Sequence, residues 1–275
     1  MLMDPLEPFR ELARTPDGRV DLTRAALAVA RIEHPELDVD EEAARLDALA
    51  TRSGAAASRG PQAALDQLVA FLFFQEGFRG NDKEYYDPRN SCLNDVLDRR
   101  LGIPITLSVL TIEIGRRVGV EVEGVGLPGH FIVGARVAGR RVFLDPFNGG
   151  AVLTPERAEE VAARAVGRPV KLEEAHWAPC SKHQIVVRML RNLKGIYAKR
   201  EDWERALGVV DRLLVLDAES GVHRRDRGTV LVRIGRLHEG ATEWERYLTR
   251  FPGAPDAAGF RDELRKVRQQ LGSRN

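Results

Sequence analysis

The chain is 275 residues long, 43% hydrophobic and 30% charged, with a formal net charge of +1. Those proportions exclude a disordered, collagen-like or low-complexity protein and leave room for one large domain or two modest ones. The longest strongly apolar run, Leu68 to Phe74, is far short of the ~20 residues of a membrane span.

The start, Met1-Leu2-Met3-Asp4-Pro5, has no basic segment followed by an apolar one, so a cytoplasmic home is expected. Two cysteines, Cys92 and Cys180, make at most one bridge and fit a reducing compartment. The small net charge conceals a division. From Ser181 onward there are 20 Lys+Arg against 13 Asp+Glu, leaving 22 against 28 before it. Opposite signs in the two parts point to an acidic partner for the second or to docking of one on the other. No lysine-rich run or aromatic-interleaved basic patch speaks for nucleic acid.

Residues 1–77 read as an N-terminal helical layer. Leu22, Ala25, Ala26, Val29 and Ala30 recur at helical spacing behind Asp21 or Thr23 as cap, and Ala43, Leu46, Leu49 and Ala50 do the same. After the loop Arg52 to Gly60, Pro61 opens a third helix through Leu65, Leu68 and Leu72. Residues 78–180 change texture. A polar loop leads to a short helix at Cys92 to Leu97, capped by Ser91 or Asn90, and Leu107, Leu110, Ile114 and Val118 then mark the most apolar helix. Strands follow at Val120–Val125, His130–Val137 and Arg141–Leu144, the latter two joined at Ala138-Gly139. Helices followed by antiparallel strands make this an α+β fold.

Residues 181–275 repeat at 34. Leu193, Tyr197, Trp203, Ala206, Val210, Leu213 and Ala218 are answered by Arg227, Leu231, Leu237, Gly240, Trp244, Tyr247 and Pro252. Small residues where two helices approach and large ones where pairs stack resemble tetratricopeptide repeats, an all-α helical-repeat module. Two units are fewer than a free solenoid requires, so packing against the acidic part is expected.

His130 opens a strand and Asp145 closes its hairpin partner, which sets them side by side at one end of the sheet. A carboxylate on one ring nitrogen leaves the other free, the base-and-orienter half of a catalytic triad. The plain alternative is a satisfied structural histidine.

The segments Tyr85-Tyr86-Asp87-Pro88-Arg89-Asn90-Ser91-Cys92-Leu93-Asn94-Asp95 through Thr106, then Pro128-Gly129-His130-Phe131, then Asp145-Pro146-Phe147-Asn148-Gly149-Gly150 resemble bacterial transglutaminase-like proteins with C-terminal tetratricopeptide repeats, of the invasion-regulator SirB type. The resemblance implies a papain-like α+β core with a Cys-His-Asp triad, His130 and Asp145 matching the last two members. The cysteine of catalytic relatives would open the helix before the histidine strand, where this chain has Gly102-Ile103-Pro104-Ile105-Thr106. Cys92 is the substitute, at a helix start whose backbone N–H groups would lower a thiol's pKa; the competing reading is a small apolar residue. Thr106 is a cap or a hydroxyl beside the vacant position.

Asp87, Arg89, Asn90, Asn94 and Asp95 concentrate donors and acceptors near the apolar helix, either as turn chemistry or as a binding rim, with Arg89 and Asp95 within reach of pairing. His176, Cys180 and His183 lack a fourth ligand for zinc, and Gly124 to Gly129 imitates a GxGxxG but precedes a strand. No metal and no cofactor are expected. The leading expectation is a binding or regulatory protein that has lost the usual nucleophile and takes a protein or peptide partner through its repeats, an acidic one by charge. The alternative is a thiol acyl-transferase or amide hydrolase using Cys92, His130 and Asp145.

Overall fold

The computed structural model describes residues 4–273; Met1 to Met3, on which part of the leader reading rests, lie outside them. The chain divides into two compact units, Thr15–Met189 and, together, Met1–Arg14 with Leu190–Asn275. Helix α1 (Glu7–Arg14) belongs to the second.

The first unit begins with α2 (Leu22–Ala30), α3 (Val39–Ser53) and α4 (Pro61–Val69), the last running into a π-helical turn at Ala70–Gln75. Asp21 caps α2 by accepting the Arg24 N–H at 3.0 Å, and Asp38 caps α3 through Asp40 and Glu41. Thr23 is not a cap. Its buried hydroxyl donates to Glu113 at 2.6 Å.

Next come β1 (Arg79–Gly80), α5 (Leu93–Arg99), β2 (Leu101–Gly102) and α6 (Pro104–Arg117), with β1 and β2 paired in parallel. The cap of α5 is Cys92, not Ser91 or Asn90. Asp87 accepts the Arg89 N–H and starts a 3-10 turn over Pro88–Ser91, which consumes those two residues and moves the helix start on. Helix α6 is buried from Pro104 to Gly115, as its unbroken apolar content requires. Its one buried acid, Glu113, is held by Thr23, Arg116 and Arg117, in line with the rule that buried charges are paired.

Four antiparallel strands follow in sequence order, β3 (Val122–Leu127), β4 (His130–Val137), β5 (Arg140–Asp145) and β6 (Ala151–Leu153). The first starts two residues late because Val120 still donates its N–H to Gly115 at the end of α6. Ala138 and Gly139 both take positive φ, 49° and 77°, the geometry of a two-residue hairpin turn matched to strand twist. Helix α7 (Pro155–Val166) and Trp177 cover Val125, Leu127, Ile132 and Leu153 on one face of the sheet.

The second unit takes the end of α8 (Lys182–Lys199), then α9 (Trp203–Leu216), α10 (Gly221–Arg233), α11 (Leu237–Arg250) and α12 (Ala257–Gly272). Trp203 and Leu237 open α9 and α11, 34 residues apart, and Tyr197, Ala206, Val210, Leu213, Leu231, Trp244 and Tyr247 are buried. A Cβ on Gly228 would stand 2.4 Å from Trp244 Cδ1 and 3.0 Å from the Gly240 carbonyl, so the small residues set how closely α10 and α11 pack. Helix α1 completes this unit by burying Phe9 and Leu12, with Arg212 over the Phe9 ring.

Candidate functional site

The turn Pro128-Gly129 delivers His130 to the first position of β4, where its side chain is 7% exposed. Its Nε2 lies 3.0 Å from Oδ2 of Asp145, which is fully buried. Pro146 ends β5 and turns the chain so that Asp145 Oδ1 accepts the N–H groups of Phe147 and Asn148, while Asn148 Nδ2 donates to Oδ2 at 2.7 Å. Burial alone would raise the Asp145 pKa. The bonds from His130 and then Asn148 outweigh it and hold the carboxyl below its ordinary range. Nε2–H facing the carboxylate leaves Nδ1 as the imidazole's acceptor, and among the described residues Nδ1 has no hydrogen-bonding partner.

Aromatic rings wall this corner. Phe147 meets His130 edge-on at 6.0 Å and Tyr85 at 6.1 Å. A Cβ on Gly80 would be 2.6 Å from the Phe147 ring, so only glycine lets β1 pass beneath it. Arg188, from α8, donates to the carbonyls of His130 at 2.5 Å and Leu127 at 3.1 Å and stacks on Phe131. Burial lowers its pKa from the usual guanidinium value. Sequence reasoning missed Tyr85, Phe147, Asn148 and Arg188 as neighbours of His130. Asp145-Pro146 is the sequence signal for the capped turn that returns Asn148 to the carboxylate; nothing in the sequence marks Arg188.

The polar loop is organised around Asn90, which is fully buried. Its side chain accepts from Asn81 and Arg99 and donates to the Glu84 carbonyl, while its own carbonyl takes the Thr106 hydroxyl at 2.6 Å. That hydroxyl also accepts the Ile103 N–H, so Thr106 closes the start of α6. Asp87 binds Arg89 at 2.7 Å and Arg99 at 3.3 Å. The Arg89–Asp95 pairing therefore does not form: Arg89 is taken by the acid two residues away, and Asp95 binds His34 at 2.7 Å. Asn94 is buried, and its Oδ1 has no partner among the described residues.

Cys92 is buried, and its thiol donates to the Pro88 carbonyl at 3.6 Å. Burial, then the negative charges of Asp95, Glu33 and Asp87, push its pKa well above the ordinary thiol value. This reverses the lowering expected at a helix start, because the acids around the sulfur and its desolvation oppose the thiolate more than a seven-residue helix favours it. His34, Cys92 and Asp95 each bring one donor atom within 4.8 Å of the other two. Cys180 is half-buried, its thiol also pushed up by burial, against the Gly126 N–H and Arg188. His176 accepts the Glu173 N–H and His183 binds Asp17, which gives each its own local task.

A histidine–aspartate pair at a strand start, beneath a buried helix and beside a four-stranded sheet, agrees with a profile match over residues 40–191, more than half of the chain. The chain belongs to the transglutaminase-like superfamily. In this transglutaminase-like protein a tetratricopeptide-repeat profile matches residues 193–271. A UPF0162 protein of Xylella fastidiosa (strain Temecula1) is 35% identical over 261 residues, 93% of each chain, and one of Vibrio cholerae is 26% identical over 242 residues, 86% of this chain and 89% of that one. F-box only protein 21 of Homo sapiens is 33% identical over 145 residues, 50% of this chain and 22% of its own length. No solved structure matches. The union of a transglutaminase-like domain with tetratricopeptide repeats supports a role in protein interaction, and no described helix is long and apolar enough to cross a membrane.

Proposed function

We propose that this is a regulatory binding protein whose transglutaminase-like core no longer performs acyl transfer and whose repeats take an acidic protein or peptide. The observation that carries the reading is the state of the hydroxyl and thiol groups that could attack a carbonyl. Cys92 is buried, with its pKa pushed up by burial and neighbouring acids, and Thr106 spends its hydroxyl on Asn90 and Ile103. A His–Asp pair orients and accepts protons but needs a nucleophile to serve. With Cys92 and Thr106 so placed, His130 Nδ1 and the exposed Arg89 guanidinium serve recognition, while the buried Asp87, Asn90, Asn94 and Asp95 shape the loop that presents them. The surplus of 20 basic over 13 acidic residues from Ser181 onward supports the acidic character of the partner.

The test has two arms on the full chain. Fluorescent peptides of matched length, acidic or neutral, are titrated by anisotropy at low and high salt; the acidic peptide should bind more tightly and lose that preference as salt screens it. In parallel, amine incorporation into a glutamine peptide is followed with and without Cys92→Ala. Turnover that depends on Cys92 overturns the loss of catalysis and restores the acyl-transferase reading, which the intact His130–Asp145 pair favours. Equal affinity for both peptides at low salt overturns the acidic partner.

A further inference from the structure

His34 sits in the turn after α2, and its Nε2 lies 2.7 Å from Oδ2 of Asp95 in α5. Cys92 is three residues before Asp95, a spacing that brings two side chains to the same side of a helix start. One donor atom of each of the three lies within 4.8 Å of the other two. A tetrahedral zinc ion, with sulfur at ~2.3 Å and nitrogen or oxygen at ~2.0–2.2 Å, holds its donors roughly 3.3–3.6 Å apart. Rotamer adjustment of about an ångström draws in the wider pairs and parts His34 Nε2 from Asp95 Oδ2, 2.7 Å apart here, to that spacing.

The corner gathers a carboxylate, an imidazole and a thiol, and Arg89 and Arg99 are engaged on Asp87 rather than on these donors. The His34 side chain is 37% exposed while Cys92 is sealed, so an ion has an entry on the imidazole side and the sulfur is shielded from oxidants. A latch between His34 and Asp95 explains two of these residues without a metal; it does not explain a thiol as the third wall of an acidic corner.

We infer that His34, Cys92 and Asp95 form a three-ligand site for a divalent cation of borderline softness, zinc above all, with water in the fourth position. Thiolate, carboxylate and neutral imidazole sum to −2 and balance the ion; the thiolate selects against magnesium and calcium. On binding, the Cys92 S–H bond breaks, a sulfur–metal bond forms and the proton goes to solvent. His34 moves its proton from Nε2 to Nδ1, and no group changes oxidation state. One proton per ion is released.

The probe is cobalt(II) added to the full chain carrying Cys180→Ser, so that any sulfur signal comes from Cys92. The expected result is one equivalent bound with a sulfur-to-cobalt charge-transfer band and tetrahedral d–d absorption. Zinc should bleach both and release one proton per ion in weak buffer. His34→Gln should weaken binding at least tenfold, and Cys92→Ala should abolish the charge-transfer band. A folded Cys180→Ser chain that shows no such band overturns the assignment, as does a band that requires Cys180. If the His34 or Cys92 variants fail to fold, X-ray absorption of the zinc-loaded Cys180→Ser chain decides. One sulfur at ~2.3 Å supports the site, and an all-nitrogen-and-oxygen shell overturns it.

Discussion

Asp145→Ala removes the acceptor at which four donors converge: His130 Nε2, Asn148 Nδ2 and the N–H groups of Phe147 and Asn148. Each side-chain bond to an ionised carboxylate contributes about 1.5–3 kcal/mol, and the loss of a side-chain cap costs about 1 kcal/mol. The expected destabilisation is about 4–7 kcal/mol, a large part of the roughly 5–15 kcal/mol of an ordinary domain. Asp145→Asn keeps an acceptor for the backbone but sets its amide against Asn148 Nδ2, and should cost about 2 kcal/mol. Urea unfolding reads both through Trp177, the one tryptophan of residues 15–189, in a chain carrying Phe at positions 203 and 244. The folded carboxyl is held below its ordinary range. Its contribution is therefore fully present above the unfolded pKa of ~3.9 and fades as pH falls through the folded value. The difference between parent and Asp145→Ala must shrink in acid. A cost below about 1 kcal/mol at pH 7, or one indifferent to acid, would refute the reasoning.

Iodoacetamide at pH 8 should label half-buried Cys180 first and reach Cys92 only in denaturant, as read peptide by peptide by mass spectrometry; rapid labelling of Cys92 in the native chain contradicts its burial. Glu113→Ala takes the acceptor from the buried Thr23 hydroxyl, while Arg117 keeps Asp47, and should cost about 1–3 kcal/mol in the same urea assay. Gly228→Ala forces a methyl against Trp244 and the Gly240 carbonyl and should cost about 1–3 kcal/mol, confined to the transition that Trp203 and Trp244 report.

Where local chemistry decides the backbone, the letters were enough. Pro61 starts α4, Ala138-Gly139 turns the hairpin, and β4 runs from His130 to Val137 as its pattern requires. The 34-residue period likewise appears directly in the starts of α9 and α11. Elements held by partners far along the chain were not legible. Helix α1 depends on burying Phe9 and Leu12 against α9, β6 is three residues paired to β5, and α7 exists to cover Val125 and Ile132. The closeness of His130 and Asp145 follows from hairpin length. The company of Cys92 does not: His34 is 61 residues from Asp95, and no periodicity connects a turn after one helix to the start of another. Burial reversed the thiol's expected pKa for the same reason, since desolvation is a property of the packed interior.

The fit of Phe147 over Gly80 ties two stretches that are distant in sequence. The ring stands on the residue that leads into the polar loop and leans on Tyr85 inside it, and its own N–H is held by Asp145. Loosening the aspartate corner withdraws the ring from the loop, and loosening the loop uncovers the aspartate. The two should therefore open as a single cooperative foldon, with the amides of Gly80, Tyr85 and Phe147 exchanging together and a ligand that orders one ordering the other.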